Sequence, residues 1–187
     1  MDALATHGLS CRFSAGRHPR HRSVNNLLKQ AFGSAGIPAV TEPPGLSRSD
    51  GKRPDGMTLV PWLRGQALVW DYTCVDTMAP THKREASTVA GCAAQKAFNK
   101  KEWKYREISK NFVFIPVAME TFGAWAEDSL AFVMQLGNRI AKATSEVRSA
   151  TFLLQRISIA VQKANSISVL STLPSTRELE GLHDFHF

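Results

Sequence analysis

The spacing of apolar residues changes several times along this chain, and each change predicts a new element. Spacings of three and four predict helices over residues 24–34, 83–109, 125–144 and 148–170. Shorter apolar runs predict strands over residues 37–41, 55–60, 67–75 and 112–118, with a hairpin connection over residues 61–66. The order is therefore helix, three strands, helix, strand and two helices.

The lengths of the connections predict how the strands pair. The first three strands have short links and should form an antiparallel meander. A helix separates the third strand from the fourth, so the fourth should lie parallel to the third through a right-handed crossover. The predicted fold class is α/β, with a small mixed sheet flanked by helices. The predicted organisation is a basic arm (1–22), one domain (23–145), an extra C-terminal helix (146–173) and a tail (174–187).

Two carboxylates stand out within this pattern. Alternation along the third strand places Asp71 and Thr73 on one face and Trp70 and Tyr72 on the other. A carboxylate in an apolar strand costs free energy unless it is paired or binds a cation. Asp55 begins the neighbouring strand, so the two carboxylates are expected to share one divalent cation. The alternatives are a turn residue for Asp55 and a solvated edge residue for Asp71.

Charge adds a class of partner to this picture. The chain of 187 residues carries a formal charge of +7, and residues 1–53 hold eight Lys/Arg against three Asp/Glu. Such a basic segment suits nucleic acid, although a solubilising arm explains the charge equally well. The residues expected to contact nucleic acid are Arg17, Arg20, Arg22, Lys52, Arg53, Lys100 and Lys101.

Cysteine content and hydropathy favour a soluble intracellular protein, nuclear or cytoplasmic, with no membrane partner. Three cysteines cannot build a disulfide framework. No apolar leader is visible at the N-terminus, and the longest apolar stretch, residues 112–119, is too short to span a bilayer.

Several short segments resemble the restriction-endonuclease-like, PD-(D/E)xK domain that follows the reverse transcriptase in non-LTR retrotransposons. They are residues 7–11, 20–21, 42–46, 52–56, 70–73 and 120–123. The resemblance covers residues 7–173 and implies an origin in a retroelement polyprotein. It implies an endonuclease that nicks DNA with Mg²⁺ or Mn²⁺, with retroelement RNA or the reverse transcriptase as further partners.

The resemblance also implies roles for individual residues. Asp55 and Asp71 would bind the cation, and Glu42 and Glu120, at strand ends, could add oxygens or merely cap and face solvent. Thr73 occupies the position of the lysine in the family pattern, and a threonine supplies no positive charge.

Retroelement members carry a lysine on the following helix, which implies Lys104 here. That helix would pack on the sheet through a stripe of residues three and four apart, with Trp103 near the buried face and Lys104 at its border. The stripe comprises Val89, Cys92, Ala93, Lys96, Ala97 and positions near Lys100. The alternative is that residues 100–106 are simply a solvated helix face.

The N-terminal segment resembles a truncated CCHC zinc knuckle. His7, Cys11 and His21 would be three of its four ligands, and the remaining cysteine has no counterpart, with His18 as a weak substitute. Three ligands rarely hold a structural zinc ion, so no stable zinc site is expected.

Three functions compete at this point. The leading hypothesis is the Mg²⁺-dependent endonuclease, and Asp55 with Asp71 is the feature that favours it. The second is a catalytically degenerate nucleic-acid-binding module that retains the fold, which the missing strand lysine favours. The third is an interaction protein that docks a partner on the helix over residues 148–170.

Overall fold

A computed structural model describes residues 8–9, 14–46, 51 and 53–171. The predicted knuckle residues His7 and Cys11, the predicted contact Lys52, and residues 172–187 with the predicted tail lie outside this range. The α-helices and β-strands are α1 (Arg17–Ser34), β1 (Ala39–Thr41), β2 (Gly56–Leu63), β3 (Gln66–Val75), α2 (Lys83–Ala86), α3 (Cys92–Lys104), β4 (Val113–Glu120), α4 (Glu127–Thr144) and α5 (Ser149–Leu170). A single 3₁₀ turn, Ile108–Lys110, precedes β4.

The four strands form one mixed sheet in the order β1-β2-β3-β4. The first three strands are antiparallel neighbours, and β3 pairs with β4 in parallel. Both predictions of strand direction are confirmed. The hairpin is tighter than predicted, because only Arg64 and Gly65, both with positive φ, separate the ends of β2 and β3.

The two faces of β3 point into different layers, as the alternation predicts. Trp70 and Tyr72 belong to the main core, which β3 shares with α1, α4 and α5 through residues such as Phe32, Leu136 and Ile157. The opposite face meets α3 and the segment after it. There Val69 packs with Tyr105 and Phe114, while Phe98 packs on Ala118. Asp71 belongs to this second face.

The single helix predicted over residues 83–109 is wrong. The segment contains two helices, α2 and α3, because Gly91 adopts a left-handed conformation (φ +84°) between them. A Cβ at Gly91 would lie 2.5 Å from the carbonyl oxygen of Trp125, so the chain packs closely there. The predicted packing stripe is confirmed at Ala93, but α3 also buries Ala94 and Phe98. The stripe is wrong at its C-terminal end, where Trp103 is 70% exposed.

The predicted boundary between a basic arm and the domain at residue 23 also changes. The helix α1 begins at Arg17, seven residues before the predicted start of this helix at residue 24. Arg20 and Val24, four residues apart, are both buried on one face of α1. The buried face of this helix therefore includes a charged residue ahead of its apolar residues. Among the described residues, no helix is long and apolar enough to cross a membrane.

Candidate active site

Asp55 closes the pairing of β2 with β3 through both its backbone and its side chain. Its N–H donates to the carbonyl oxygen of Trp70 at 3.0 Å, and its carboxylate Oδ2 accepts the N–H of Tyr72 at 2.7 Å. The side-chain carboxylate thus accepts the hydrogen bond that a backbone carbonyl oxygen would accept if the pairing of β2 with β3 continued. Asp55 is therefore anchored to β3, which a simple turn residue would not be.

The glycine that follows Asp55 has a steric reason. A Cβ at Gly56 would collide with the six-membered ring of Trp70, which lies directly against the Gly56 backbone. Trp70 itself is fully buried, and its indole N–H donates to Oδ1 of Asn25 on α1 at 3.0 Å. The buried ring of Trp70 therefore explains why glycine follows Asp55, and its contact with Gly56 fixes the position of Asp55 next to β3.

Asp71 is a buried carboxylate with a lysine partner. Its side chain is 6% exposed, and Lys101 of α3 forms an ion pair with its Oδ2. The same ammonium lies 3.4 Å from the carbonyl oxygen of Tyr72. Burial raises the pKa of Asp71, the charge of Asp55 raises it further, and Lys101 and Lys104 only partly oppose the shift.

The two carboxylates meet at one residue of β3. Asp55 accepts the N–H of Tyr72, and Lys101, the partner of Asp71, donates to the carbonyl oxygen of Tyr72. The charge of Asp55 also raises the pKa of Asp71, so the two carboxylates interact electrostatically. Asp55, Asp71 and Lys101 therefore form one cluster, called here the acid cluster.

The donors of the acid cluster fit a hard divalent cation. Mg²⁺ and Mn²⁺ prefer oxygen ligands, and Mg²⁺ usually keeps several waters with only one or two carboxylates from the protein. In the part of the chain that the structure describes, no three His, Cys, Asp or Glu side chains converge to hold an ion. Two carboxylates, one of which (Asp55) lines an open cleft, are compatible with such a partly hydrated ion.

Lys101, rather than the predicted Lys104, forms the ion pair with Asp71. Lys101 continues the buried face of α3 at a spacing of three from Phe98 and seven from Ala94, a helical signal already present in the sequence. Lys104 lies one turn later, with its Nζ 5.0 Å from the centroid of the Tyr105 ring. From the sequence, Lys101 is predicted only as a nucleic-acid contact, and the predicted packing stripe starts at Val89, which precedes α3.

Thr73 stays close to the acid cluster. It lies two residues after Asp71 on the same strand, and it lines a cleft together with Lys101. Its hydroxyl can bond water or a ligand but carries no charge. Lys101 therefore brings the positive charge that the family pattern would assign to the position of Thr73.

The structure does not bring Glu120 to the acid cluster. Glu120 is buried, and its Oε1 accepts the N–H groups of Ala93 and Ala94 at 3.0 and 3.4 Å, which caps the first turn of α3. On β4, Glu120 pairs with Val75, four residues past Asp71, or about 13 Å along the strand. Its predicted place among the metal ligands is thus replaced by a capping role.

Glu42 lies closer, but it has a partner of its own. It is exposed, adopts φ +51°, and forms an ion pair with Arg53. Its N–H donates to the carbonyl oxygen of Asp55 at 2.8 Å, and both residues line one cleft of about 430 Å³. A role for Glu42 in metal binding stays a prediction.

A larger cleft of about 810 Å³ opens on the other side of His21, between the start of α1 and α3. His18 and His21 line both clefts, and Arg17, Thr73 and Lys101 line the larger one. Of the acid cluster, Asp55 lines the smaller cleft and Lys101 lines the larger one, which has basic walls. A groove of this kind suits an anionic ligand.

The basic residues predicted to contact nucleic acid separate into distinct groups. Arg17, Arg22 and Lys100 are exposed, and Arg53 pairs with Glu42. Arg20 differs from these, because it is 4% exposed and its Nη1 donates to Oδ1 of Asn165 on α5 at 2.7 Å. Arg20 is a structural link between two helices, which corrects its predicted surface role.

His21 is a site residue that the sequence analysis interpreted only as a zinc ligand. Its Nε2 lies 3.0 Å from Oδ2 of Asp55, and its Nδ1 lies 3.3 Å from Nδ2 of Asn25. The hydrogen bond with Asp55 raises the pKa of His21, whereas burial lowers it. Both ring nitrogens are engaged within the domain, so His21 does not match the predicted zinc ligand. The spacing of four puts His21 and Asn25 on one face of α1, but no local sequence signal joins them to Asp55.

Comparisons with known proteins add no family to these observations. No protein-family model matches the chain, and no curated protein matches it with significance.

Proposed function

We propose that the protein is a metal-dependent endonuclease of retroelement origin that nicks DNA by phosphodiester hydrolysis. One observation carries this proposal. A lysine ammonium reaches the buried carboxylate of Asp71 beside Asp55, although the sequence has threonine where the family pattern has lysine. Two acids and a lysine are the groups that such hydrolysis needs, and the lysine lines an open cleft with basic walls.

Each residue of the acid cluster has a distinct role in this proposal. Asp55 and Asp71 would hold Mg²⁺ or Mn²⁺, which when bound polarises the scissile phosphate and lowers the pKa of a bound water. Lys101 would offer its ammonium to the charge that develops on the phosphate. Thr73 would orient water through its hydroxyl. Arg17 and Arg22, exposed on α1 near the clefts, would attract the DNA backbone.

A second candidate is a nucleic-acid-binding module that has lost catalysis. The observation that favours it is the same ion pair considered without a cation. Lys101 already neutralises Asp71, and the half-exposed His21 already contacts Asp55. With these partners in place, both acids are paired without any metal, and the cleft lined by Arg17 and Lys101 stays basic.

The decisive experiment measures conversion of supercoiled plasmid to nicked circle with Mg²⁺ and with EDTA. We expect Mg²⁺-dependent nicking by the wild type and none by Asp71→Ala. Asp128→Ala, which removes an exposed acid from the first turn of α4, is the matched control and should nick like the wild type.

Binding of the same DNA, measured by fluorescence anisotropy in EDTA, separates the two candidates. Asp71→Ala should bind as tightly as the wild type or slightly more tightly, because it removes a negative charge near the phosphates. Binding without nicking by any variant would favour the second candidate. Equal nicking by the wild type and Asp71→Ala would assign the activity to a contaminant.

A further inference from the structure

A chain of three hydrogen bonds connects the protein core to Asp55. The indole N–H of Trp70 reaches Oδ1 of Asn25 at 3.0 Å, and Nδ2 of Asn25 reaches Nδ1 of His21 at 3.3 Å. The Nε2 of His21 then reaches Oδ2 of Asp55 at 3.0 Å. Trp70 is fully buried and Asn25 is 6% exposed, so the chain starts from packed residues.

The chemistry of the first residue sets the direction of the whole chain. An indole nitrogen can only donate, so the oxygen of Asn25 must face Trp70 and its amide nitrogen must face His21. That amide nitrogen is a donor, so Nδ1 of His21 accepts and the hydrogen of the imidazole is on Nε2. A proton on Nδ1 would instead face the Asn25 amide, donor against donor.

The consequence appears at the carboxylate of Asp55. The N–H of Tyr72, at 2.7 Å, and the Nε2–H of His21, at 3.0 Å, both donate to Oδ2. Oδ1 accepts no hydrogen bond from the described part of the chain. Two donors from different elements on one oxygen fix the rotation of the carboxylate about its last bond.

We propose that His21 is a positioning residue, which holds Asp55 by Oδ2 and thereby reserves Oδ1 for a divalent cation. This inference rests on the proposed function only in assuming a divalent cation at Asp55, and it does not require DNA cleavage. In metal sites of other proteins, groups that hydrogen-bond to the metal ligands hold those ligands in place. Losing one such group typically costs 10–100-fold in metal affinity.

Two variants of His21 separate positioning from mere packing. His21→Ala removes the donor to Asp55, and His21→Gln keeps a nitrogen donor near the position of Nε2. We expect His21→Ala to raise the Kd for Mn²⁺ about 10–100-fold, and His21→Gln to recover most of the loss. Mn²⁺ binding is measured by the loss of the free-ion signal in electron paramagnetic resonance. Ser23→Ala, an exposed change on the same helix, is the control and should bind like the wild type.

A second measurement needs neither metal nor mutation. Long-range ¹H–¹⁵N spectra of the labelled wild type at neutral pH report which imidazole nitrogen carries hydrogen. We expect Nε2 of His21 to carry hydrogen, because Nε2 donates to Asp55. A neutral Nδ1–H form would overturn the proposal, because Nε2 would then have no hydrogen to donate to Asp55. This readout stands even if the alanine variant does not fold.

The outcomes distinguish this inference from the proposed function. Equal Mn²⁺ affinity of His21→Ala and the wild type would overturn the positioning role, as would a glutamine variant no better than alanine. Mn²⁺ binding that depends on Asp71 and His21 without any nicking would overturn the nuclease but support positioning. Wild-type protein without Asp71-dependent Mn²⁺ binding would overturn both.

Discussion

At the scale of the residue, Asp71 illustrates the tension between burial and charge. Taking an ion out of water costs several kcal/mol, and a partner offsets this only in part unless the geometry is very good. Here the pKa of Asp71 stays raised although Lys101 is bonded to it, so desolvation outweighs pairing. A group whose folded pKa is raised stabilises the protein at low pH and loses that contribution as pH rises through the folded pKa. At neutral pH the metal-free protein therefore contains an unfavourable charge.

This predicts that Asp71→Asn stabilises the metal-free protein. The amide keeps the shape and removes the buried charge, so the midpoint of thermal unfolding, Tm, should rise at pH 7 in EDTA. A gain of 1 kcal/mol would appear as about 2–4 °C in a chain of this size. Adding Mg²⁺ should raise the Tm of the wild type and leave that of the variant unchanged. Calorimetry in both buffers checks this, and a lower Tm for Asp71→Asn in EDTA would contradict it.

At the scale of the element, α3 is built to place one lysine over the sheet. Gly91 begins the helix in a left-handed conformation, and Glu120 caps its first turn through Ala93 and Ala94. Phe98 then packs on the sheet, and Lys101 follows on the same face. The start of α3 sets the direction of every later side chain on the helix, and Lys104 lies over the ring of Tyr105 instead. The start of the helix therefore decides which lysine meets Asp71.

This predicts unequal roles for the two lysines. Lys101→Ala should lower the nicking rate at saturating DNA by about a hundredfold or more, the usual cost of losing one charge partner of a transition state. Lys104→Ala should cost much less, since Lys104 acts on Asp71 only through its field. Lys96→Ala, which removes an exposed lysine paired with Glu85, is the control. A larger loss for Lys104→Ala than for Lys101→Ala would show that the ion pair is not the productive contact.

At the scale of the whole molecule, the first turns of α1 combine two kinds of basic residue. Arg17 and Arg22 are exposed near the clefts, whereas Arg20 is buried against α5. Asn165, the partner of Arg20, also donates to the carbonyl oxygen of Thr121 just beyond β4 at 2.7 Å. Arg20 thus connects three elements, and its charge is used within the fold.

This predicts that alanine substitution of two neighbouring arginines affects different properties, DNA binding in one case and stability in the other. Arg22→Ala should weaken DNA binding and reduce the slope of log Kd against log salt by about 1, the effect of losing one phosphate contact. Arg20→Ala should instead destabilise the fold by about 1.5–3 kcal/mol, because it removes a buried hydrogen bond to a charged group. Anisotropy titrations over a salt series and thermal unfolding of both variants check this. Equal Tm values for Arg20→Ala and the wild type would contradict the structural role.

The sequence by itself determines the order of the elements, the antiparallel meander, the parallel fourth strand and the face of β3 on which Asp71 lies. These properties follow from short-range rules, because apolar spacing reports local geometry and connection length limits how strands can pair. Both acids of the candidate site also come from the sequence, since each stands within or beside a predicted strand. Whether they share a cation stays a prediction.

Only the tertiary structure decides which side chains meet these acids. Lys101 rather than Lys104, His21 on Asp55, and Glu120 at the start of α3 all depend on how each helix is rotated and where it begins. That rotation is set by contacts between residues far apart in the chain, such as the Gly91 backbone against Trp125. A local pattern defines the apolar face of a helix but not the distant residue it will meet, because close packing of the complete core selects that partner.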